Sequence, residues 1–165
     1  MKFNENLDKV MERLHKNGAF LTVKSGDRIN TMTISWGNIG YEWNRPVFIV
    51  MVRQSRHTYE MIQNTESFTV SIPLTDEFKS SLAFCGSKSG RDHDKFKECG
   101  LKTKPAKAVE TPIISGGGYT YECSIVCKQP LRLDILPDEV KDKFYGNGDY
   151  HTLYFGEIVE CYIEQ

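Results

Sequence analysis

A chain of 165 residues, 39% hydrophobic and 26% charged, is long enough for one domain with a full core and has the composition of an ordinary globular protein. A formal net charge of −1 gives no general attraction to nucleic acid, and no apolar run approaches the roughly 20 residues needed to cross a bilayer. The opening run MKFNENLDKVMERL lacks the apolar centre of a signal peptide, so a cytoplasmic protein is expected.

Leu7, Val10, Met11 and Leu14 recur at helical spacing and Gly18 follows as a stop, which predicts one amphipathic helix of about three turns. Residues 19–24 read as a strand. Gly26 and Asp27 make a tight turn into a second strand from near Ile29, so the two are expected to be antiparallel. Residues 30–36, NTMTISW, are a polar, half-apolar strand. Residues 37–44 have the glycine and asparagine content of a turn, and residues 47–52 form an apolar strand.

At residues 53–58 that strand passes into a short helix running from His57 to about Gln63. Arg53, Ser55, Arg56 and Thr58 gather two guanidinium forks and two hydroxyls at this handover. Free backbone N–H groups and the positive end of a helix dipole point the same way, so a phosphate is a natural guest. Spacing alone accounts for these residues equally well as a solvated turn with Ser/Thr caps.

Further on, residues 67–73 alternate as a strand ended by Pro73, 76–84 form a short helix, 85–92 a loop, and 94–100 a brief helix ended by Gly100. Residues 119–128 and 131–136 read as strands. A helical turn from Pro137 closes at residues 146–149, and a last strand runs over 150–163. Gly156 within it points to a bulge or a close backbone approach. In that strand His151, Leu153 and Phe155 share one face, and an interior setting for that face would put His151 at a barrel mouth. The five cysteines, Cys85, Cys99, Cys123, Cys127 and Cys161, are odd in number and match neither zinc nor dithiol spacing, so they are expected as small reduced apolar side chains. About seven strands with hairpin-like links predict a mainly β protein built as a closed antiparallel barrel. No dinucleotide fingerprint of glycines is present.

Three blocks, residues 30–36 with 53–58 behind them, 87–96 (SKSGRDHDKF) and 148–158 (GDYHTLYFGEI), make the chain resemble the flavin reductase-like family of FMN-binding split barrels, which includes the flavoredoxins. The blocks occur in the family's order and span most of the chain. The resemblance implies a Greek-key split β-barrel with short peripheral helices, a homodimer, and FMN held near the subunit interface. It also implies that Thr31, Met32, Thr33 and Ser35 lie along the isoalloxazine ring with Trp36 close by and Asn30 also binding the cofactor, and that Arg53, Ser55, Arg56 and Thr58 hold the 5′-phosphate. His57 joins that group, with a surface or capping role as the alternative. Ser89, Gly90, Arg91 and Lys95, with Asp92, would close over the flavin or meet a second nucleotide, and a salt-bridged surface loop is the alternative. His151 would stand near the flavin or a nicotinamide, against a structural histidine. Many relatives continue past the last strand, so part of their pocket wall or dimer arm is not expected here.

The chemistry implied belongs mainly to the cofactor. One reading is an NAD(P)H-dependent flavin reductase, an oxidoreductase. The other is a flavoredoxin-type electron-transfer protein passing electrons to a redox protein partner without a nicotinamide. A pyridoxamine-phosphate oxidase-like protein fits the blocks less well. Because the cluster at 53–58 suits a terminal phosphate, FMN is expected over FAD. Nothing suggests a metal site.

Overall fold

The computed structural model describes residues 2–164. Helix α1 (Leu7–Asn17) places Val10 and Leu14 in the core and ends at Gly18, whose φ of 88° is open to glycine. Strands β1 (Ala19–Ser25) and β2 (Arg28–Ile34) form the expected antiparallel hairpin. Then come β3 (Gly37–Glu42), β4 (Arg45–Arg53), α2 (His57–Ile62), β5 (Ser67–Ile72), α3 (Lys79–Ser87) and α4 (Lys95–Glu98). Two short strands follow, β6 (Thr103–Lys104) and β7 (Ile113–Ile114), then β8 (Gly118–Pro130), α5 (Asp138–Tyr145) and β9 (His151–Glu164).

Seven strands make one sheet in the order β2-β1-β5-β8-β9-β4-β3, and every neighbouring pair is antiparallel. β2 and β3 lie at opposite ends of that order, yet only Ser35 and Trp36 separate them in the chain. Three Cα steps reach about 11 Å at most. The sheet therefore curls until its two edges meet, and among the described residues no ladder joins them. The result is a mainly β split barrel, open along the β2–β3 seam. Its interior takes alternate residues of each strand: Val50 and Val52 of β4, Phe68 and Val70 of β5, Tyr121 and Cys123 of β8, Tyr154 and Ile158 of β9.

Residues 85–87, read as loop, continue α3, β6 and β7 were not expected, and two longer segments differ more from the sequence reading. Residues 37–42 are an edge strand, and the turn shrinks to Trp43 and Asn44, both at positive φ (51° and 59°). Such a pair makes a two-residue hairpin whose twist matches the flanking strands. Pairing with β4 imposes the strand, and Gly37 is needed there because a Cβ would lie 2.9 Å from the Ile49 carbonyl oxygen. Residues 131–136 are not a strand. The β8 ladder ends at Pro130, opposite Thr152, and the chain turns through a 3-10 segment at Leu133–Ile135 on the surface.

Gly156 sits where a close approach was expected. A Cβ there would fall 2.5 Å from Phe68 Cζ and 2.6 Å from Cys123 Cβ, and the latter is fixed by its own strand. Gly156→Ala should cost about 1–3 kcal/mol by overpacking. Denaturant melts of the two proteins check this, and an unchanged midpoint would contradict the packing described.

A second apolar cluster lies outside the barrel. Phe20 of β1 meets Leu82 and Cys85 of α3, Leu101 and Ile114, with Phe96 of α4 against them. This cluster holds α3, α4 and the loop between them beside β2.

Candidate functional site

The chain from α3 to α4 and the ends of β2 and β4 enclose two adjoining cavities. The first, about 250 Å³, opens at the seam between β2 and β3 and is lined by Met32, Thr33, Ser35, Trp36, Arg53 and His151, with Ile34, Met51, Arg56 and Gly86 completing it. The second, about 140 Å³, lies between α2 and the loop before α4. Asn30, Ser55, His57, Thr58, Ser89, Gly90, Arg91 and Lys95 face it. Met32 and Arg56 line both. The structure thus brings together every residue singled out above except Thr31 and Asp92, the latter lying on the outer side of the loop before α4. The Thr31 side chain is fully buried, its hydroxyl donating to the Leu21 carbonyl, while its own carbonyl accepts from Lys95 Nζ at 2.9 Å.

The second cavity is strongly cationic. Lys95 is only 3% exposed, and its Nζ also donates to the Cys85 carbonyl at 3.0 Å. Burial pushes the ammonium down to about 8, with Arg56 adding to the push and Cys85 opposing it. Arg56 donates to the Gly86 carbonyl at 2.7 Å, and burial lowers its pKa too. Among the described residues neither Arg56 nor Lys95 has a carboxylate in ion-pair contact. Two half-desolvated cations without a counter-charge are costly unless an anion joins them. Around them, Arg91 donates to the Ser55 carbonyl and to Glu60, which also meets His57 Nδ1 at 3.1 Å. Asn30 donates to Thr58 Oγ1 at 2.8 Å. Gly90 lets the loop settle against these groups: a Cβ would fall 2.1 Å from Asn30 Oδ1 and 3.1 Å from His57 Cδ2.

Arg53 and Ser55 are used differently from the sequence expectation. The Arg53 guanidinium donates to the carbonyls of Asp149 (2.5 Å) and Phe144 (3.0 Å), hooking the end of α5 onto β4, and it lines the first cavity rather than the second. The Ser55 hydroxyl and amide both bond the Asp149 carboxylate, although Ser55 still borders the second cavity. At six residues, α2 offers a weaker dipole than a full helix.

His151 also stands differently. Thr152, Tyr154 and Gly156 face the barrel core, so His151 lies on the outer face, opposite Arg53 in the β4–β9 ladder. It is nevertheless only 7% exposed, because α5 and Trp36 cover it. Its Nδ1 is 2.9 Å from the Tyr145 hydroxyl, and the Trp36 ring lies 5.5 Å away, edge-on to Phe144. Burial first, then Arg53, lowers its pKa from 6.5 to about 4 against the pull of Asp149. The unfolded chain therefore takes up a proton here as pH falls through 6.5, and the folded chain only near 4. The folded state should lose on the order of 3 kcal/mol across that window through this group, and nothing further below it. Melts of the protein and of His151→Gln between pH 7 and 4 check this, and identical pH slopes would contradict it.

Sequence reasoning missed Met51, Gly86 and Tyr145. Met51 had a signal, since it shares the face of Arg53 two residues on. Gly86 contributes a carbonyl and Tyr145 comes from α5, and neither is flagged by residue type.

A family model, the flavin reductase like domain, matches residues 11–165. The chain belongs to the flavin reductase-like family. Among solved structures it is similar to the flavoredoxin of Desulfovibrio vulgaris (Miyazaki F), with a TM-score of 0.70 and 23% identity over 90% of this chain and 69% of that one. An FMN-binding domain of a flavin reductases-like enzyme from Shewanella baltica OS155 matches with a TM-score of 0.69 and 17% identity, over 96% and 75% of the two chains. An NADH:FAD oxidoreductase of Streptomyces globisporus C-1027 matches with 0.66 and 17%, over 89% and 75%. No curated protein matches the chain. As a flavin reductase-like protein it carries the split barrel of these relatives. Among the described residues no helix is long and apolar enough to cross a membrane.

Proposed function

We propose that this flavin reductase-like protein binds FMN across the two joined cavities and accepts hydride from NAD(P)H onto it. The observation that carries the reading is the pairing of an aromatic-walled cavity with one holding the buried Lys95 and the half-buried Arg56, neither in ion-pair contact with a carboxylate among the described residues, the two cavities joined at Arg56 and Met32. The residues fit the group chemically. Arg56, Lys95 and the backbone at Ser89 and Gly90 would hold a terminal phosphate, with Thr58 and Ser55 beside it. Met32, Thr33, Ser35 and Trp36 would flank the ring.

When bound, FMN supplies the two-electron acceptor that the amino acids lack. The chain's own groups bind, orient and exclude water. Trp36 and Met51 give the first cavity apolar walls. His151, neutral at pH 7, can donate one hydrogen bond but has no proton to give up as an acid. Rapid anaerobic mixing of the FMN-loaded protein with NADH and with NADPH, followed at the flavin absorbance, tests the proposal. Bleaching with either donor is the expected result. No bleaching with both would contradict the reductase reading and leave the flavoredoxin-type role toward a redox protein partner.

We also propose a homodimer. β2 and β3 end the sheet as open edges, and Trp36 at the first cavity and Tyr41 and Trp43 at the other end of β3 are exposed. A twofold contact would cover both. Sedimentation of the flavin-loaded protein at micromolar concentration should give twice the chain mass, and a monomer would refute it.

A further inference from the structure

We propose that Tyr145 is a positioning residue that holds His151 in a single tautomer, Nδ1 bare and Nε2–H available to the first cavity. The role assigned to that N–H rests on the reading of the first cavity as the flavin ring site.

Tyr145 closes α5, is 6% exposed, and sets its hydroxyl 2.9 Å from His151 Nδ1, the two rings nearly perpendicular at 87°. A phenol can donate or accept, and a neutral imidazole carries one bare and one protonated nitrogen. Among the described residues Nδ1 is the only hydrogen-bond partner of the Tyr145 hydroxyl. If Nδ1 carried the proton, the phenolic O–H would be buried with no acceptor, which is the expensive arrangement. Donation from the phenol to a bare Nδ1 satisfies both groups. It also joins the better donor to the better acceptor, since a phenol is more acidic than an imidazole N–H and an imidazole nitrogen more basic than a phenol oxygen. The remaining proton must then be on Nε2.

The surroundings keep the ring neutral, so it has one N–H and not two. Arg53 lies opposite on β4, Asp149 precedes it in the turn, Tyr145 caps it from α5 and Trp36 covers it from the β2–β3 link. Tyr145 is itself fixed. Arg53 stacks 5.3 Å above its ring while gripping the carbonyls of Phe144 and Asp149. Arg53 thus acts through Tyr145 on His151. The outcome is one hydrogen-bond donor at a preset angle, suited to a ring carbonyl or to negative charge that grows on a ring as it is reduced.

The tautomer is read directly by long-range nitrogen–proton NMR of the protein labelled with 15N-histidine, at pH 7, without flavin. The expected spectrum shows His151 protonated at Nε2 alone. Protonation at Nδ1 would overturn the proposal, and this measurement needs no variant to fold. In Tyr145→Phe the ring should become a mixture of tautomers, and in the FMN-loaded variant the flavin midpoint potential should shift while Kd for FMN changes less than about threefold. A tautomer unchanged by the variant would overturn the role of Tyr145. An Nε2–H tautomer in a protein that binds no flavin would leave the lock standing and refute the flavin reading instead.

Discussion

Arg56→Ala should weaken FMN binding by about 10- to 150-fold and riboflavin binding hardly at all. The figure is that of one charge-assisted contact, about 1.5–3 kcal/mol. Riboflavin lacks the phosphate, so a loss confined to FMN isolates that contact from any change in the ring cavity. The control matters because Arg56 lines both cavities and also bonds the Gly86 carbonyl at the end of α3. Arg56→Lys keeps the charge but not the planar fork, and should recover only part of the affinity. Fluorescence titration of each flavin makes the comparison. Equal losses for both ligands would mean that Arg56 supports the wall and does not bind phosphate.

The second large effect is expected at His151. His151→Phe keeps an aromatic ring beside Trp36 and removes the donor, and should slow flavin reduction by about 10- to 100-fold at saturating nicotinamide. His151→Gln places an amide N–H near the former Nε2 and should stay within about fivefold of the natural protein. This contrast separates a neutral donor from a proton donor, because glutamine replaces the first and not the second. The burial that lowers the histidine to about 4 makes the same point through pH: its charge does not change between pH 5.5 and 8, so the reduction rate should show no step near 6.5. Stopped-flow reduction of both variants checks this. A glutamine variant as slow as the phenylalanine one, or an acid limb at 6.5, would count against the neutral donor.

What could be read from the sequence follows from how local each cause is. The interior strands were legible because Phe68-x-Val70-x-Ile72 and Tyr119-x-Tyr121-x-Cys123 alternate, and alternation is a property of the strand itself. β3 was not, since Gly37, Asn38 and Gly40 have turn composition and only pairing with β4 makes them a strand. Residues 131–136 erred the other way: the apolar residues are there, but no neighbouring strand extends past Pro130. The cations and hydroxyls of the site were legible by type. Their division was not. Arg53 and Arg56 look alike in sequence, and what separates them is a pair of carbonyls about 90 residues further on, at Phe144 and Asp149. Thr31 looked like a ring contact beside Met32, while its hydroxyl bonds into β1. Tyr145 gave no sign, because its importance comes from meeting His151 across a turn whose shape residue type does not encode.

On the function proposed here, the second cavity is a phosphate site and the first the place of the flavin ring. Determining the structure of the protein saturated with FMN tests it most directly. The 5′-phosphate is expected within hydrogen-bond distance of Arg56 and of the Ser89–Gly90 backbone, beside Lys95, with the ring lying between Trp36 and Met32 and one of its polar atoms facing His151 Nε2. A phosphate in solvent, or a flavin bound away from Arg56 and His151, would contradict it.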